Sequence, residues 1–255
     1  MKKFLLSILY IARQLLNPFF HFRERTILCY HSISDAPLET AVAVRAFKAH
    51  LAVLKRKGYE FVSLADMVSL FDGNSRDTIS RKVVALTFDD GYADFKTAVL
   101  PILEEQKIPA TLFIVGNGAT YASGLEADIA MLTENDVTEL AKHPLIDIGW
   151  HTVTHPNLAL CDTDILRYEC TPPAPVRFFA YPGGNYSDAA VEAVTQAGFT
   201  AAFSIKRDLV SRGKSRWLLP RIVVLNSDTE HDVVQYISIA QHWYAVLRGV
   251  LRKYG

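Results

Sequence analysis

Residues 83–91 read VVALTFDDG, a run of apolar residues that ends in two adjacent aspartates and a glycine. The apolar run over residues 83–88 predicts a buried β-strand, and Asp-Asp-Gly is an ordinary turn sequence after a strand. Two carboxylates at the end of a buried strand repel each other unless a cation or a base function uses them. This stretch therefore predicts a strand that delivers charged side chains to one edge of a sheet.

Strand-like and helix-like segments alternate on both sides of this stretch. Short apolar runs predict strands over residues 26–30, 59–62, 83–88, 110–115, 146–150, 176–180, 201–205 and 218–224. Amphipathic periodicity predicts helices over residues 47–57, 64–71, 93–106, 134–143 and 232–252. Repeated β-α alternation within one domain's length predicts an α/β fold with a parallel sheet, either closed as a barrel or doubly wound.

Polar or ionisable side chains directly follow several of the apolar runs. They are His31 after TILCY, Asp89 and Asp90 after VVALTF, His151 after IDIGW, Tyr181 after VRFFA, and Arg221 after WLLP. In a β/α barrel the C-terminal ends of the strands converge on the active site. We therefore expect these side chains to meet at one end of a barrel.

Three of these side chains have the chemistry of metal ligands. Asp90 offers a carboxylate, and His151 and His155 in HTVTH offer imidazoles four residues apart. One carboxylate and two histidines leave coordination positions open on Zn²⁺ or a similar divalent ion. A histidine pair at this spacing is by itself also typical of an exposed helix, so the indication comes from the combination with the aspartates.

The combination of motifs resembles a known family. TFDDG at residues 87–91 and HTVTH at residues 151–155 are similar to motifs of the polysaccharide deacetylases, also called carbohydrate esterase family 4 or NodB-homology proteins. PATLFIVG at residues 109–116 and FAYPGG at residues 179–184 agree in order and spacing, and the likeness runs from residue 27 to residue 224. The resemblance implies an irregular (β/α)7-type barrel and the metal-dependent removal of N- or O-acetyl groups from a glycan.

The resemblance also implies roles for individual residues. Asp89 would be the general base, while Asp90, His151 and His155 would hold the divalent metal, for which zinc is the expected ion. The loop of Tyr181, Pro182 and Gly183 would face the scissile carbonyl with its N–H groups, and a plain turn is the alternative. Trp150 would stack on a sugar, and a tryptophan packed in the core is the alternative.

The sequence departs from the commonest family pattern in two places. AYPG at residues 180–183 stands where many members have Arg-x-Pro-Tyr, and Asn226 follows the late strand where many have the histidine of Leu-x-His. Both departures fit a circularly permuted subgroup similar to the poly-N-acetylglucosamine deacetylases, which begin with a strand ending in Tyr-His and continue with a GY-x-x-VSL segment. This chain has CYHSI at residues 29–33 and GYEFVSL at residues 58–64. His31 would then be the general acid, and Arg221 would replace the missing arginine.

The N-terminus forms a separate segment, residues 1–24, ahead of the deacetylase domain predicted over residues 25–255. At 100° per residue one face of a helix over residues 2–19 is polar and cationic, with Lys2, Lys3, Ser7, Arg13, Gln14 and Asn17. The opposite face is apolar, with Phe4, Leu5, Ile8, Ile11, Ala12, Leu15, Leu16 and Phe19. This pattern predicts a helix that lies in a membrane interface and makes the protein membrane-associated. An uncleaved signal anchor, or a helix packed on its own domain, are the alternatives.

Composition narrows the classes of function. Lys+Arg and Asp+Glu balance at 27 each, so no basic field indicates a nucleic-acid partner. The three cysteines contain no CxxC pair and are expected to be small core residues. The family resemblance implies a metal-dependent hydrolase that deacetylates the N-acetylated sugars of a surface or envelope polysaccharide or its precursor. Hydrolysis of a small non-sugar amide, or glycan binding without catalysis, are the alternatives.

Overall fold

The computed structural model describes residues 8–9, 11–12, 23–72, 82–116, 129–211, 214–238 and 243 of the 255-residue chain. Most of the predicted N-terminal helix lies outside the described residues. Within the described ranges no helix is both long enough and apolar enough to cross a membrane.

Eight strands, all paired in parallel, form one sheet within the described residues. They are β1 (Glu24–Tyr30), β2 (Glu60–Phe61), β3 (Lys82–Phe88), β4 (Ala110–Ile114), β5 (Ile146–Trp150), β6 (Phe178–Ala180), β7 (Ala201–Phe203) and β8 (Ile222–Val223). The order of neighbours is β7-β6-β5-β4-β3-β1-β8, and β2 pairs with β3 outside this path. This arrangement confirms the predicted α/β fold with a parallel sheet.

The two ends of this strand order are joined through Leu219. Leu219 forms a parallel bridge with Phe203 of β7, donating its N–H to the Ala202 carbonyl at 2.9 Å and accepting the Ser204 N–H at 2.9 Å. Three residues later the same segment enters β8, which pairs with β1. The sheet therefore curls back on itself as an irregular barrel whose path contains seven strands.

Seven α-helices within the described residues connect the strands. They are α1 (Val44–Arg56), α2 (Leu64–Asp72), α3 (Leu100–Gln106), α4 (Glu134–Leu140), α5 (Thr163–Glu169), α6 (Asp188–Gln196) and α7 (Glu230–Ile237). A π-helical turn, Phe95–Val99, precedes α3 and replaces the first part of the single helix that the periodicity predicted. Pro101 lies in the first turn of α3, where the missing N–H of a proline breaks no helical hydrogen bond.

The helix predicted over residues 232–252 is wrong in its start and in its continuity at Ser238, while most of residues 239–252 lie outside the described residues. It begins earlier because Thr229 and Asp232 form a capping box at the start of α7. It ends at Ile237 because Ser238 has an extended backbone, and the Ser238 hydroxyl donates to the Gln235 carbonyl at 2.8 Å. A serine can satisfy a late helical carbonyl in this way, which the hydrophobic periodicity does not register.

The strands separate two apolar cores because alternate residues point to opposite faces. Leu28, Val84 and Leu86 face the surrounding helices, whereas Ile27 and Ala85 belong to the cluster inside the barrel. This interior also contains three phenylalanine rings, from Phe113, Phe178 and Phe203. The barrel is therefore filled by side chains, and polar groups gather above this filling.

The register of the strands aligns their C-terminal ends. Tyr30 of β1 lies opposite Phe88 of β3, and Ile114 of β4 lies opposite Trp150 of β5. The residues that immediately follow β1 and β3 therefore emerge at the same end of the barrel, and those that follow β5 emerge there too.

Candidate active site

The centre of the site is an ion pair between Asp89 and Arg221. The Arg221 guanidinium donates from Nη1 to Asp89 Oδ1 at 2.6 Å and from Nη2 to Asp89 Oδ2 at 2.7 Å. Both residues are buried, at 2% and 0% exposure. Nη1 also donates to Thr87 Oγ1 at 3.2 Å, and the guanidinium lies 5.1 Å from the Phe113 ring centroid. Two parallel charge-assisted hydrogen bonds fix both the position and the orientation of the carboxylate.

The two adjacent aspartates differ in electrostatic environment. Burial raises the pKa of Asp89, but the charge and the hydrogen bonds of Arg221 lower it by more, so the net pKa lies well below its usual range. For Asp90, burial and the neighbouring Asp89 charge raise the pKa to about 8, although Tyr92 and Arg221 oppose the shift. Asp89 is therefore ionised at neutral pH, and Asp90 is the carboxylate that a nearby cation would help to ionise.

Asp90, His151 and His155 come together beside this ion pair. The Nε2 atoms of His151 and His155 each lie 3.5 Å from Asp90 Oδ1, and the two ring centroids are 5.0 Å apart. The His151 Nδ1–H donates to the Ala180 carbonyl at 2.7 Å. Since a carbonyl only accepts, this bond assigns the proton to Nδ1 and leaves Nε2 as a lone-pair donor. Burial lowers the pKa of His151 to about 3, against the opposing charge of Asp89, which keeps this ring neutral.

This donor set fits a divalent metal ion. One ligand atom from each of Asp90, His151 and His155 can be chosen so that all three lie within 4.8 Å of one another. A carboxylate oxygen with two neutral imidazole nitrogens is a set that divalent transition metals bind. A cation bound here would stabilise the charged form of Asp90 and so lower its raised pKa.

His31 lies next to Asp89, at the end of β1. A second group of ligand-type atoms, from Cys29, His31 and Asp89, also lies within 4.8 Å. His31 Nδ1 is buried and has no hydrogen-bond partner among the described residues. Burial lowers the pKa of His31, while the Asp89 charge opposes this shift. The structure thus brings His31 and Arg221 to the same carboxylate from opposite ends of the sequence.

Asn226, which occupies the place of the family's late histidine, points elsewhere. Its side-chain amide donates to the Leu38 carbonyl at 2.9 Å, and its backbone N–H donates to the Glu39 carbonyl at 2.8 Å. Asn226 therefore holds the loop after β1 instead of facing Asp89.

The loop after β6 forms a tight turn. Tyr181 is buried and donates its N–H to Phe203, and the N–H groups of Gly184 and Asn185 donate to the carbonyls of Tyr181 and Pro182. Gly183 has a left-handed backbone with φ of 57°. Because two N–H groups of this loop are used inside the turn, the arrangement favours the plain-turn alternative for those groups.

Trp150 lies in the interior. It is 2% exposed, packs in a cluster with Leu158 and Phe179, and donates its indole N–H to the Glu169 carbonyl at 2.9 Å. This placement favours the packing alternative for Trp150 over stacking on a sugar.

Two residues of the site, Cys29 and Asp94, were not predicted as site residues from the sequence. The Cys29 thiol, expected to be a small core residue, donates to Asp89 Oδ2 at 3.3 Å. Asp94 accepts from the Ser32 hydroxyl at 2.6 Å and from the Ile33 N–H at 3.1 Å, which fixes the loop that follows His31. The strand alternation could have indicated Cys29, since residues two apart on β1 share the face that His31 continues.

Comparison with known proteins agrees with this geometry. The family model described as polysaccharide deacetylase matches residues 76–202, the range that contains Asp89, Asp90 and both HTVTH histidines. The chain belongs to the polysaccharide deacetylase family. His31, directly after β1, and Arg221 lie outside the matched range.

Individual relatives extend the likeness over most of the chain. The poly-β-1,6-N-acetyl-D-glucosamine N-deacetylase of Escherichia coli K12 is 23% identical over 262 residues, which cover 84% of this chain and 38% of that protein. The Streptococcus pyogenes deacetylase PplD, whose structure contains acetate, is 25% identical, with a TM-score of 0.70 over 84% of this chain and 98% of its own. IcaB from Ammonifex degensii shares the fold with a TM-score of 0.73 at 22% identity, over 86% of this chain and 97% of its own.

We expect the triad to bind a divalent ion. The purified protein should hold about one ion per chain, because three protein ligands bind such an ion tightly. Alanine at Asp90, His151 or His155 should release it, as measured by elemental analysis after gel filtration. His143→Ala is the matched control, because His143 pairs with Glu104 and not with the triad. Retention of the ion in all three variants would contradict the assignment.

Proposed function

We propose that this protein is a metal-dependent hydrolase that removes acetyl groups from the N-acetylated sugars of a surface or envelope polysaccharide or of its precursor. The observation that carries the proposal is the ionised Asp89, held by Arg221 beside the Asp90, His151 and His155 donor set. A glycan-binding protein without catalysis does not require a buried, ionised carboxylate next to two histidines that can bind a metal ion. The glycan part of the proposal is supported by the poly-N-acetylglucosamine deacetylase named among the relatives.

The residues divide the chemistry between them. When bound by Asp90, His151 and His155, a divalent ion, for which we propose zinc, supplies Lewis acidity that polarises the acetyl carbonyl and acidifies the attacking water. Asp89 accepts a proton from that water as its oxygen attacks the carbonyl carbon. Arg221 keeps Asp89 ionised and oriented until Asp89 accepts this proton.

His31 completes the reaction on the leaving-group side. In its protonated form it donates a proton to the sugar nitrogen as the C–N bond breaks, so that a free amine and acetate leave. Its buried Nδ1 without a described partner is consistent with a ring that exchanges protons with a substrate. The net reaction consumes one water for each amide bond that is cleaved.

Acetate release from β-1,6-linked N-acetylglucosamine oligomers tests the proposal. Asp89→Asn should lower turnover by roughly 10²–10⁴-fold, the usual contribution of general acid–base catalysis, with the bound metal nearly unchanged. Asp188→Asn, an exposed aspartate in the first turn of α6, is the matched control and should have wild-type activity. Release of acetate from small non-sugar amides alone would favour the amidohydrolase alternative. Binding of the oligomers without release of acetate would favour the alternative of glycan binding without catalysis.

The variant His31→Ala tests the role of His31 as the general acid independently of the other site residues. The variant should keep its metal and lose activity most on amides, whose amine leaves poorly without a proton. An activated acetyl ester should be hydrolysed with a much smaller defect, because its leaving group needs little protonation. The pH–rate profile should also lose its alkaline limb. Equal losses on amide and ester would exclude His31 as the acid and require another proton donor.

We further propose that residues 2–19 attach the protein to a membrane surface. Their cationic and apolar faces support this, as do Ile8 and Ile11 of the apolar face, which are 47% and 58% exposed. Arg248, Arg252 and Lys253 lie outside the described residues, and we propose that they add positive charge to this attachment.

Removal of residues 1–22 should release the protein from membranes and leave its activity on soluble substrate intact, as measured by vesicle sedimentation and acetate release. The double variant Ile8→Asp with Ile11→Asp retains the full chain and should weaken sedimentation as well. A truncated protein that still sediments with vesicles would show that this segment is not the anchor.

A further inference from the structure

The backbone between His151 and His155 has an unusual conformation. Thr152 and His155 have positive φ angles of 72° and 58°, in the left-handed region that residues other than glycine seldom adopt. Such a conformation persists only where the surroundings hold it. Within the segment itself, the Thr152 hydroxyl accepts the His155 N–H at 2.9 Å, which closes a short turn.

One side chain outside the segment holds its middle. Glu169, the last residue of α5, is 3% exposed. Its Oε2 accepts the N–H groups of Val153 at 2.8 Å and Thr154 at 2.9 Å, and its Oε1 accepts the Thr154 hydroxyl at 2.6 Å. Its backbone carbonyl accepts the indole N–H of Trp150, so a single residue binds the strand end and the segment after it.

The Glu169 side chain acts as an acceptor for all three of these groups. Two of them are backbone N–H groups, which only donate, and the third is the Thr154 hydroxyl, which can also accept. An alanine would leave both N–H groups without this acceptor, whereas a glutamine could still accept them through its carbonyl oxygen and donate its amide N–H to the Thr154 hydroxyl. The segment therefore depends on a side-chain oxygen at this position.

We propose that Glu169 is a positioning residue for the metal site, which holds residues 152–154 so that both histidines face Asp90. The inference depends on the divalent-ion site proposed above, and it assigns a further residue to it. Glu169 touches neither Asp90 nor a reacting atom. It acts through the backbone that joins His151 to His155, and His151 is fixed independently by the Ala180 carbonyl. Loss of Glu169 should thus misplace His155 more than His151.

The test measures metal affinity directly. Zn²⁺ binding by the metal-free full chain is followed by competition with a chromophoric chelator, and Co²⁺ absorption reports the geometry of the site. Glu169→Ala should weaken Zn²⁺ binding by roughly 10–100-fold, the range seen when groups that orient metal ligands are removed, and its Co²⁺ spectrum should differ from that of the wild type. Glu169→Gln keeps an acceptor oxygen for the two N–H groups and should be much closer to the wild type in both measurements. Thr154→Val removes one of the three hydrogen bonds and should give a smaller effect of the same kind.

The matched control is Asp162→Ala on the same helix. Asp162 caps α5 by accepting the Ile165 N–H at 2.9 Å, and among the described residues it has no hydrogen bond to the HTVTH segment. Alanine removes this cap and lowers the stability of α5, but the variant should keep wild-type affinity and spectrum. Equal weakening in Asp162→Ala and Glu169→Ala would overturn the proposal, because the effect would then come from the stability of α5. Wild-type affinity in Glu169→Ala would overturn it while leaving the metal site intact, and a wild-type chain without Zn²⁺ affinity would overturn both.

Discussion

The arrangement of the active site depends on the buried ion pair between Asp89 and Arg221. The two charges lie above a barrel interior filled by phenylalanine rings, where an unpaired charge is strongly destabilising. Removing one member of such a pair typically costs about 3–5 kcal/mol. Because Arg221 precedes β8 and Asp89 follows β3, the pair also links the segment that closes the barrel to the strand that carries the aspartates. Folding and chemistry therefore rely on the same two hydrogen bonds.

Around this pair, each loop that bears a functional side chain is held by a separate polar contact. The loop after His31 is fixed by the Asp94 carboxylate, and the HTVTH segment by Glu169 and by the Ala180 carbonyl. Asp90 itself has a left-handed backbone, with φ of 75°. Such contacts limit the movement of groups that must hold a metal ion or transfer a proton. This matters because a misplacement of about 1 Å can lower the reaction rate strongly.

The sequence predicted the strands well and their boundaries less well. Buried parallel strands are continuous apolar runs, and β3, β4 and β5 agree with their predicted ranges to within a residue. The late strand is shorter than predicted because a 3₁₀ turn at Arg216–Leu218 and a single bridge at Leu219 precede β8. Hydropathy does not reveal such interruptions, since they depend on which carbonyls find partners across the barrel. The same reason explains why α7 ends at Ile237.

The sequence by itself determined the alternation of strands and helices, and it placed Asp89, Asp90, His151 and His155 at strand ends. These are local properties, because the period of hydrophobic residues and the position of a polar residue after a strand need no partner. The sequence offered Arg221 as a candidate only through the family resemblance, and the tertiary structure decided that it faces Asp89, 132 residues earlier in the chain. The tertiary structure also decided that Trp150 packs inward and that the Cys29 thiol donates to Asp89. It also decided that Glu169 supports the histidine segment. Each of these contacts joins residues far apart in the chain, and they meet only because the closed barrel aligns the strand ends.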